Sequence, residues 1–371
     1  MRLVGALLAC APLLAGCRRE QQPGTGPTVD PQWMQRLAIE FSRLPDTVPT
    51  RWRGLIGEYG PDTTRRWFVL ENDRRLWVRD HTGYLAPLAE KNDTLFEAPR
   101  VTAIVSGDVR FSRDPSGRAT SIQVGDQLLP RRSVEPPLGA TQMRITPVRP
   151  IEELRRLALA ERPPVEAGTF KPAELVELTR LDSTIRLDIR YATENNFLGT
   201  KMYDEARAFL QKPAAEALVR ANMALRRLGY ALLVHDAYRP WYVTKIFWDA
   251  TPDSVRWLVA NPAQGSKHNR GAAVDVTLFD LETKQPVEMP STYDETTPRA
   301  RSDYPGGTAQ QRWHRRLLRS VLEHEGFVAN PLEWWHFDYK DWKSYALGNE
   351  RFDQIKPPVQ AAPTSGRGRS R

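Results

Sequence analysis

Ser266-Lys267-His268-Asn269-Arg270-Gly271-Ala272-Ala273-Val274-Asp275, taken with Glu333-Trp334-Trp335-His336, supplies two imidazoles and a carboxylate able to share a divalent cation, plus a spare carboxylate beside the second imidazole. Imidazole nitrogens and an Asp oxygen suit Zn(II), and three protein ligands leave a fourth position for water. On this reading His268, Asp275 and His336 are the metal ligands. Glu333 is the base that takes the water proton and returns it to the leaving group. Zinc lowers the pKa of its water to about 7, which makes the nucleophile available at neutral pH. Either segment alone is weak: the chain has six His, and an isolated His is more often an ordinary surface or core residue. Each segment lacks what the other supplies.

The chemistry requires elements that bring these segments together. Gly271, Ala272 and Ala273 leave room for close backbone approach, and Val274 to Phe279 reads as a strand. Pro331 argues against a helix running through the second segment, while Trp335, Phe337 and Tyr339 favour a strand carrying His336. Adjacent strands would face the ligands to one point. Upstream, Leu187 to Tyr191 alternates like a strand, and a helix opening at Pro213 is closed by Gly229, with Leu218, Met223, Leu225 and Leu228 available for its buried stripe. Tyr230 to Val234 then reads as a strand that delivers His235, Asp236 and Arg239 to its end. A helix over Gln310 to Glu325, stopped by Gly326, precedes the strand bearing His336. Helices flanking a mainly antiparallel sheet define an α+β catalytic domain.

These residues carry a family resemblance. Ser-x-His-x-x-Gly-x-Ala-x-Asp followed by Glu-x-x-His resembles the zinc D-alanyl-D-alanine dipeptidases, relatives of the zinc D-Ala-D-Ala carboxypeptidases. Tyr191-Ala192-Thr193-Glu194-Asn195-Asn196-Phe197, Asp236-Ala237-Tyr238-Arg239-Pro240 and Met289 through Asp294 are similar to that family in the same order, over about residues 172 to 350. The resemblance implies one Zn(2+) per chain and hydrolysis of D-Ala-D-Ala, with Arg239 stabilising the tetrahedral oxyanion. A guanidinium suits that task because it donates several hydrogen bonds. It also implies that Asp294 meets the substrate ammonium and that Ser266 is a polar substrate contact near the metal. For Arg239 the competing explanation is an ion pair with Asp236; for Ser266 and Asp294 it is turn or capping chemistry. His235 and Asp236 read as supporting residues, Tyr203 as a wall of the pocket, and Trp334 and Trp335 as core or wall. Two alternatives stand beside the dipeptidase. One is a D,D- or L,D-carboxypeptidase acting on peptidoglycan stem peptides, and the other a non-catalytic zinc-containing cell-wall-binding module, which would have no use for Glu333 or Arg239.

The rest of the chain sets the context. Met1-Arg2 and the apolar run Leu3 to Leu14 have the layout of a secretion signal, too short for a stable span. Leu14-Ala15-Gly16-Cys17 resembles the bacterial lipoprotein processing box, with Cys17 the lipidated first residue of the mature protein. Cys10 would leave with the signal, so no disulfide is expected. Exported, lipid-anchored placement in the envelope, facing the periplasm if the cell has an outer membrane, departs from the cytoplasmic setting of many such dipeptidases. It would bring peptidoglycan fragments within reach. A tether over residues 18–30 precedes a small all-β barrel-like or sandwich domain over 31–133, whose helix over Trp33 to Leu44 leads into short strand-like runs. Those runs are Trp67 to Leu70, Leu76 to Val78, Tyr84 to Leu88, Val101 to Val105, Val109 to Phe111 and Ser121 to Val124. The unit resembles the lipocalin-like accessory modules of some bacterial hydrolases. Residues 134–172 form a Pro-rich linker with a short helix around Ile151 to Glu161, 173–352 the catalytic domain, and 353–371 a disordered tail. The net charge of +8 over 371 residues is scattered and lacks aromatic interleaving, which argues against a nucleic-acid partner.

Overall fold

A computed structural model describes residues 28–62, 64–99, 107–132 and 144–356. The expected signal with Cys17, most of the tether, the strand over 101–105 and the tail beyond 356 lie outside the described residues. Among the described residues no helix is long and apolar enough to cross a membrane.

The first helix, α1 (Pro31–Glu40), starts and stops earlier than the run Trp33 to Leu44 suggests. Asp30 caps it by accepting from the Gln32 N–H at 2.9 Å, and Pro31, with no N–H to leave unsatisfied, takes the first helical position. After the short α2 (Thr50–Arg53) come β1 (Gly57–Tyr59), β2 (Trp67–Asn72), β3 (Arg75–Arg79), β4 (Leu85–Glu90), β5 (Leu95–Ala98), β6 (Gly107–Arg113), β7 (Ala119–Val124) and β8 (Gln127–Pro130). Each pairs antiparallel with the next in an eight-stranded meander. The ends meet: Tyr59 bridges Arg131, and Gly60 N–H donates to the Pro130 carbonyl at 2.9 Å, so the sheet is barrel-like and nearly closed. Alternation places Leu76, Val78, Phe96, Val109, Phe111 and Ile122 inside. β2 departs from it and is buried on both faces, because Phe68 and Leu70 turn outward onto Tyr304.

The remaining chain supplies α3 (Ile151–Ala160), β9 (Leu175–Glu177), α4 (Leu178–Leu181), β10 (Arg186–Leu187), β11 (Phe209–Gln211), α5 (Lys212–Arg227), β12 (Tyr230–Asp236), α6 (Trp241–Ala250), β13 (Ala273–Asp280), β14 (Gln285–Pro286), α7 (Ala309–His324), β15 (Phe327–Ala329) and β16 (His336–Tyr339). Its main sheet runs β10-β12-β13-β16-β15, with β14 on β13; only β10 and β12 are parallel, so the molecule is mixed α/β with antiparallel sheets. The strand expected through Tyr191 ends at Leu187, and Arg190–Ala192 instead coils into a single 3-10 turn that tucks Tyr191 inward.

α5 and α7 cover the sheet. In α7, Leu317, Leu318, Val321 and Leu322 are fully buried, each worth about 1.5–3 kcal/mol relative to exposure. A capping box closes its N-terminus: Thr308 Oγ1 accepts from Gln311 N–H at 3.1 Å while Gln311 Oε1 accepts from Thr308 N–H at 2.9 Å. The next amide, Ala309, donates to Glu71 of β2 at 2.8 Å, which ties the eight-stranded sheet to this helix. α1 packs here too, with Trp33 stacked 3.7 Å from His324 and Phe41 edge-on to Trp313.

Candidate active site

Local backbone chemistry explains how residues far apart in sequence meet. His268 opens a 3-10 turn, His268–Arg270, that ends on Gly271 at φ +64. A side chain at Gly271 would face left-handed strain and press into Leu175, so glycine is required for the reversal into β13. Asp275 then sits on β13 directly opposite His336 on β16, and opposite Asp236 of β12 on its other side. Between Val234 and Asp236 the register slips by a bulge, which re-aims the end of β12. Pairing alone therefore sets Asp275 and His336 side by side, and the glycine turn folds His268 onto them.

The three groups converge in atomic detail. His268 Nε2 lies 3.1 Å from His336 Nδ1 and 3.4 Å from Asp275 Oδ1, and His336 Nδ1 lies 3.0 Å from Asp275 Oδ1. Ligands about 2.0–2.1 Å from a tetrahedral zinc stand about 3.3 Å apart, so the triangle has the size of one face of such a site. The far nitrogens are engaged: His268 Nδ1–H donates to the Ala237 carbonyl at 2.7 Å and His336 Nε2–H to Asp338 Oδ1 at 2.9 Å. Each imidazole thus presents its remaining nitrogen to the shared point, the usual support for a metal-binding His. The second oxygen of Asp275 accepts from the Tyr293 hydroxyl at 2.9 Å, and Asp338 is held in turn by Lys267. These three residues, with these atoms, form a group able to hold a metal ion.

Burial works against a charged His336, but hydrogen bonds to Asp275 and Asp338 outweigh it and push its pKa up to about 10. Asp275 is correspondingly held well below the usual carboxylate range: burial opposes its charge, but the two imidazoles prevail.

Around this triangle lies a cleft of about 190 Å³ lined by Arg239, Ser266, Asp294, Glu333, Trp335 and the apolar Ile145, Phe197 and Phe247. Glu333 is half-buried in the turn before β16, with Oε2 3.8 Å from His336 Nδ1 and accepting from Asn330 Nδ2 at 3.0 Å. Burial raises its pKa, the direction that strengthens it as a proton acceptor. Arg239 gives Nε and Nη2 to Asp236 Oδ2 at 2.9 and 2.7 Å, and its guanidinium lies over Tyr191 and Phe247 at 5.2 and 5.0 Å. The ion pair and a place on the cleft therefore coexist. Ser266 Oγ accepts from the His268 N–H at 3.2 Å and still lines the cleft. Asp294 adopts φ +59, accepts from the Tyr191 hydroxyl at 3.0 Å, and is pushed up to about 8 by burial first and the Asp275 charge second.

Other expectations divide. Asp236 supports Arg239 and also accepts from Tyr203 at 2.7 Å, so Tyr203 stands behind the site instead of on its wall. His235 points away and lies against Tyr293, 4.7 Å between ring centres. Trp334 is held by Ser291, 2.8 Å from indole nitrogen to hydroxyl. Sequence reasoning missed Asp338, Tyr293, Tyr191 and Asn269. Asp338 carried a signal, being two residues from His336 and hence on the same strand face. Asn269 sews two loops together: its Nδ2 donates to the Arg239 carbonyl at 2.8 Å and its Oδ1 accepts from Ser266 N–H at 2.7 Å. Nothing in the sequence marked it.

Comparison with known proteins gives the class: the protein is a peptidase. Residues 171–356 match the model of the M15 peptidase family described as D-Ala-D-Ala dipeptidase. The chain is 33% identical over 185 residues to the D-alanyl-D-alanine dipeptidase of Escherichia coli K12, covering 50% of this chain and 94% of that protein. It is 34% identical over 175 residues to the D-alanyl-D-alanine dipeptidase of Enterococcus faecium, covering 42% of this chain and 87% of that protein. The chain belongs to the D-alanyl-D-alanine dipeptidase family.

Proposed function

We propose that the protein is a zinc-dependent dipeptidase that hydrolyses D-alanyl-D-alanine and related short peptides. The observation that carries the proposal is the triangle of His268, Asp275 and His336 at tetrahedral spacing, with Glu333 beside it and Asp294 in the same small cleft. Zn(II) held by those three residues would supply Lewis acidity to water and to the scissile carbonyl. The chain's own groups do the rest. Glu333 accepts the proton of the attacking water and delivers it to the departing amine. Arg239, fixed through Asp236, offers its guanidinium to the oxyanion of the tetrahedral intermediate. Asp294, enclosed in the cleft, pairs with the substrate ammonium, and Ser266 supplies a polar contact. A free ammonium would favour the charged form of Asp294, an attraction that the acylated nitrogen of a longer stem peptide does not offer.

The run Leu3 to Leu14 and the segment Leu14-Ala15-Gly16-Cys17 support export and lipid anchoring at Cys17, where peptidoglycan fragments would be the source of substrate. The separate hydrophobic cluster inside the eight-stranded sheet supports a distinct accessory domain.

The test is hydrolysis of D-Ala-D-Ala and of its N-acetyl derivative by the wild type and by Glu333→Gln, with bound zinc measured in both. Turnover of the free dipeptide alone, lost by about 10²–10⁴-fold in Glu333→Gln at full zinc content, is expected. Unchanged turnover in the variant, or turnover untouched by a chelator, refutes the proposal.

A further inference from the structure

Of the residues that line the catalytic cleft, Ile145 comes from outside the stretch 171–356 that matches the family. It enters on the arm that leads to α3, and that arm is pinned along its length. Ile145 N–H donates to the Phe197 carbonyl at 2.8 Å, Arg144 Nη1 to the Glu194 carbonyl at 3.1 Å, and Val148 N–H to the Ala250 carbonyl at 3.0 Å. One turn into α3, Arg155 donates to the Met202 and Lys201 carbonyls at 2.9 and 2.6 Å. The loop beneath is fitted to this seat: Gly199, at φ +65, leaves the space into which Arg144 reaches, and a side chain there would collide with the guanidinium. The Arg144 side chain, the Ile145 N–H and the Val148 N–H together hold Ile145 against the cleft.

What it meets there is apolar. Phe197 and Phe247 pack edge-on, 5.0 Å between ring centres, and Leu258 and Val259 also line the cleft. A cleft of only about 190 Å³ has little room to spare, so the volume of one wall residue decides what fits. We propose that Ile145 is a specificity-determining residue of this enzyme: it takes up space in the cleft alongside these apolar residues and confines the substrate side chain facing it to about the size of a methyl group. The inference rests on the dipeptidase reading and adds to it a determinant supplied by the preceding segment of the chain.

The experiment compares kcat/KM for D-Ala-D-Ala, D-Leu-D-Ala and D-Ala-D-Leu in the wild type, Ile145→Ala, Ile145→Val and Ile145→Phe, with melting curves for each. One methylene in an apolar pocket is worth about 10–200-fold in kcat/KM. The ratio of one Leu-containing dipeptide to D-Ala-D-Ala should therefore rise at least about tenfold in Ile145→Ala, rise less in Ile145→Val, and fall in Ile145→Phe. Which of the two Leu dipeptides responds identifies the substrate position that Ile145 faces. Should Ile145→Ala fail to fold, the opposite movements of Val and Phe decide. Ratios within about twofold of wild type in every folded variant overturn the assignment, the dipeptidase reading being left intact by D-Ala-D-Ala turnover. A wild type inert toward all three dipeptides overturns both.

Discussion

Replacing Asp338 by Ala should weaken metal binding while leaving the three donors in place. Its Oδ1 accepts from His336 Nε2–H at 2.9 Å, the bond that leaves Nδ1 as the nitrogen facing His268 and Asp275. Both partners are buried, and the remaining Asp338 oxygen holds Lys267. In Asp338→Ala the imidazole N–H loses its acceptor where water has poor access, at a cost of about 1–3 kcal/mol. The ring also loses the carboxylate that raises its basicity as a ligand, and Lys267 becomes an uncompensated positive charge close to an incoming cation. Losses of such outer partners weaken metal affinity by about 10–100-fold, or about 1.4–2.8 kcal/mol, which agrees with the hydrogen-bond figure. Asp338→Asn keeps an acceptor oxygen and loses only the charge, so its effect should lie near the lower bound.

The assay is competition for zinc between the metal-stripped full chain and a chromogenic chelator at fixed pH, with melting curves taken without metal to show that each variant is folded. Zinc should raise the melting temperature of the wild type, since a ligand that binds only the folded state stabilises it by mass action. That increment should shrink in the order wild type, Asp338→Asn, Asp338→Ala. A folded Asp338→Ala that holds zinc as tightly as wild type would refute the claim that His336 binds through Nδ1 with its far side fixed by the carboxylate. A wild type that competes for no zinc at all would remove the metal centre itself.

Arg239→Lys should lower kcat on D-Ala-D-Ala by about 10²–10³-fold with a smaller change in KM, because an ammonium cannot keep two hydrogen bonds to Asp236 and also serve the cleft. A fall in melting temperature with kcat unchanged would make the residue structural only. Glu177 is held below the usual carboxylate range by its hydrogen bonds with Arg207. In the acid range the unfolded chain therefore binds the extra proton, so this stabilisation is present above the unfolded pKa and lost as pH falls through the folded one. Glu177→Gln should cost about 1 kcal/mol of unfolding free energy at pH 7, measured by urea denaturation, and less as pH falls through the folded pKa, and a cost that does not change with pH would exclude the ion pair as the cause. Phe96→Ala, in the core of the eight-stranded sheet, should destabilise that sheet by about 3–5 kcal/mol. If the accessory unit folds separately, calorimetry will show one transition move while the other and D-Ala-D-Ala turnover stay put.

Chemistry was more legible in the sequence than position. His268, Asp275, Glu333 and His336 declare themselves by residue type and spacing, and the flanking glycines and prolines mark the turns and strands that bring three of them to one point. The helices α5 and α7 follow from apolar periodicity bounded by Pro213, Gly229 and Gly326, because both the stripe and its stops are local features. Short strands such as β5 and β8 escape such reading, since four residues hold too little alternation to stand out from a turn. Tyr203 and Tyr191 are harder still. Both are aromatic residues in the same irregular stretch, yet one hydroxyl supports Asp236 behind the site and the other reaches Asp294 on the cleft. Only the fold of the loop separates these roles.

The same contrast explains why the supporting groups matter as much as the ligands. Two histidines and an aspartate packed this closely would, with nothing else, choose among several tautomers and rotamers. The Ala237 carbonyl, Asp338 and the Tyr293 hydroxyl remove those choices one at a time, each bonding the atom that must not face the centre. Two of these supports are themselves positioned by features of the main sheet: the bulge at the end of β12 carries Ala237 out beneath His268, and two-residue alternation along β16 puts Asp338 on the face of His336. A substitution that shifts the register of β16 by one residue would turn His336 and Asp338 to the opposite face together. Metal affinity in this protein should therefore track the integrity of the β13–β16 pairing more closely than the stability of the helices that cover it.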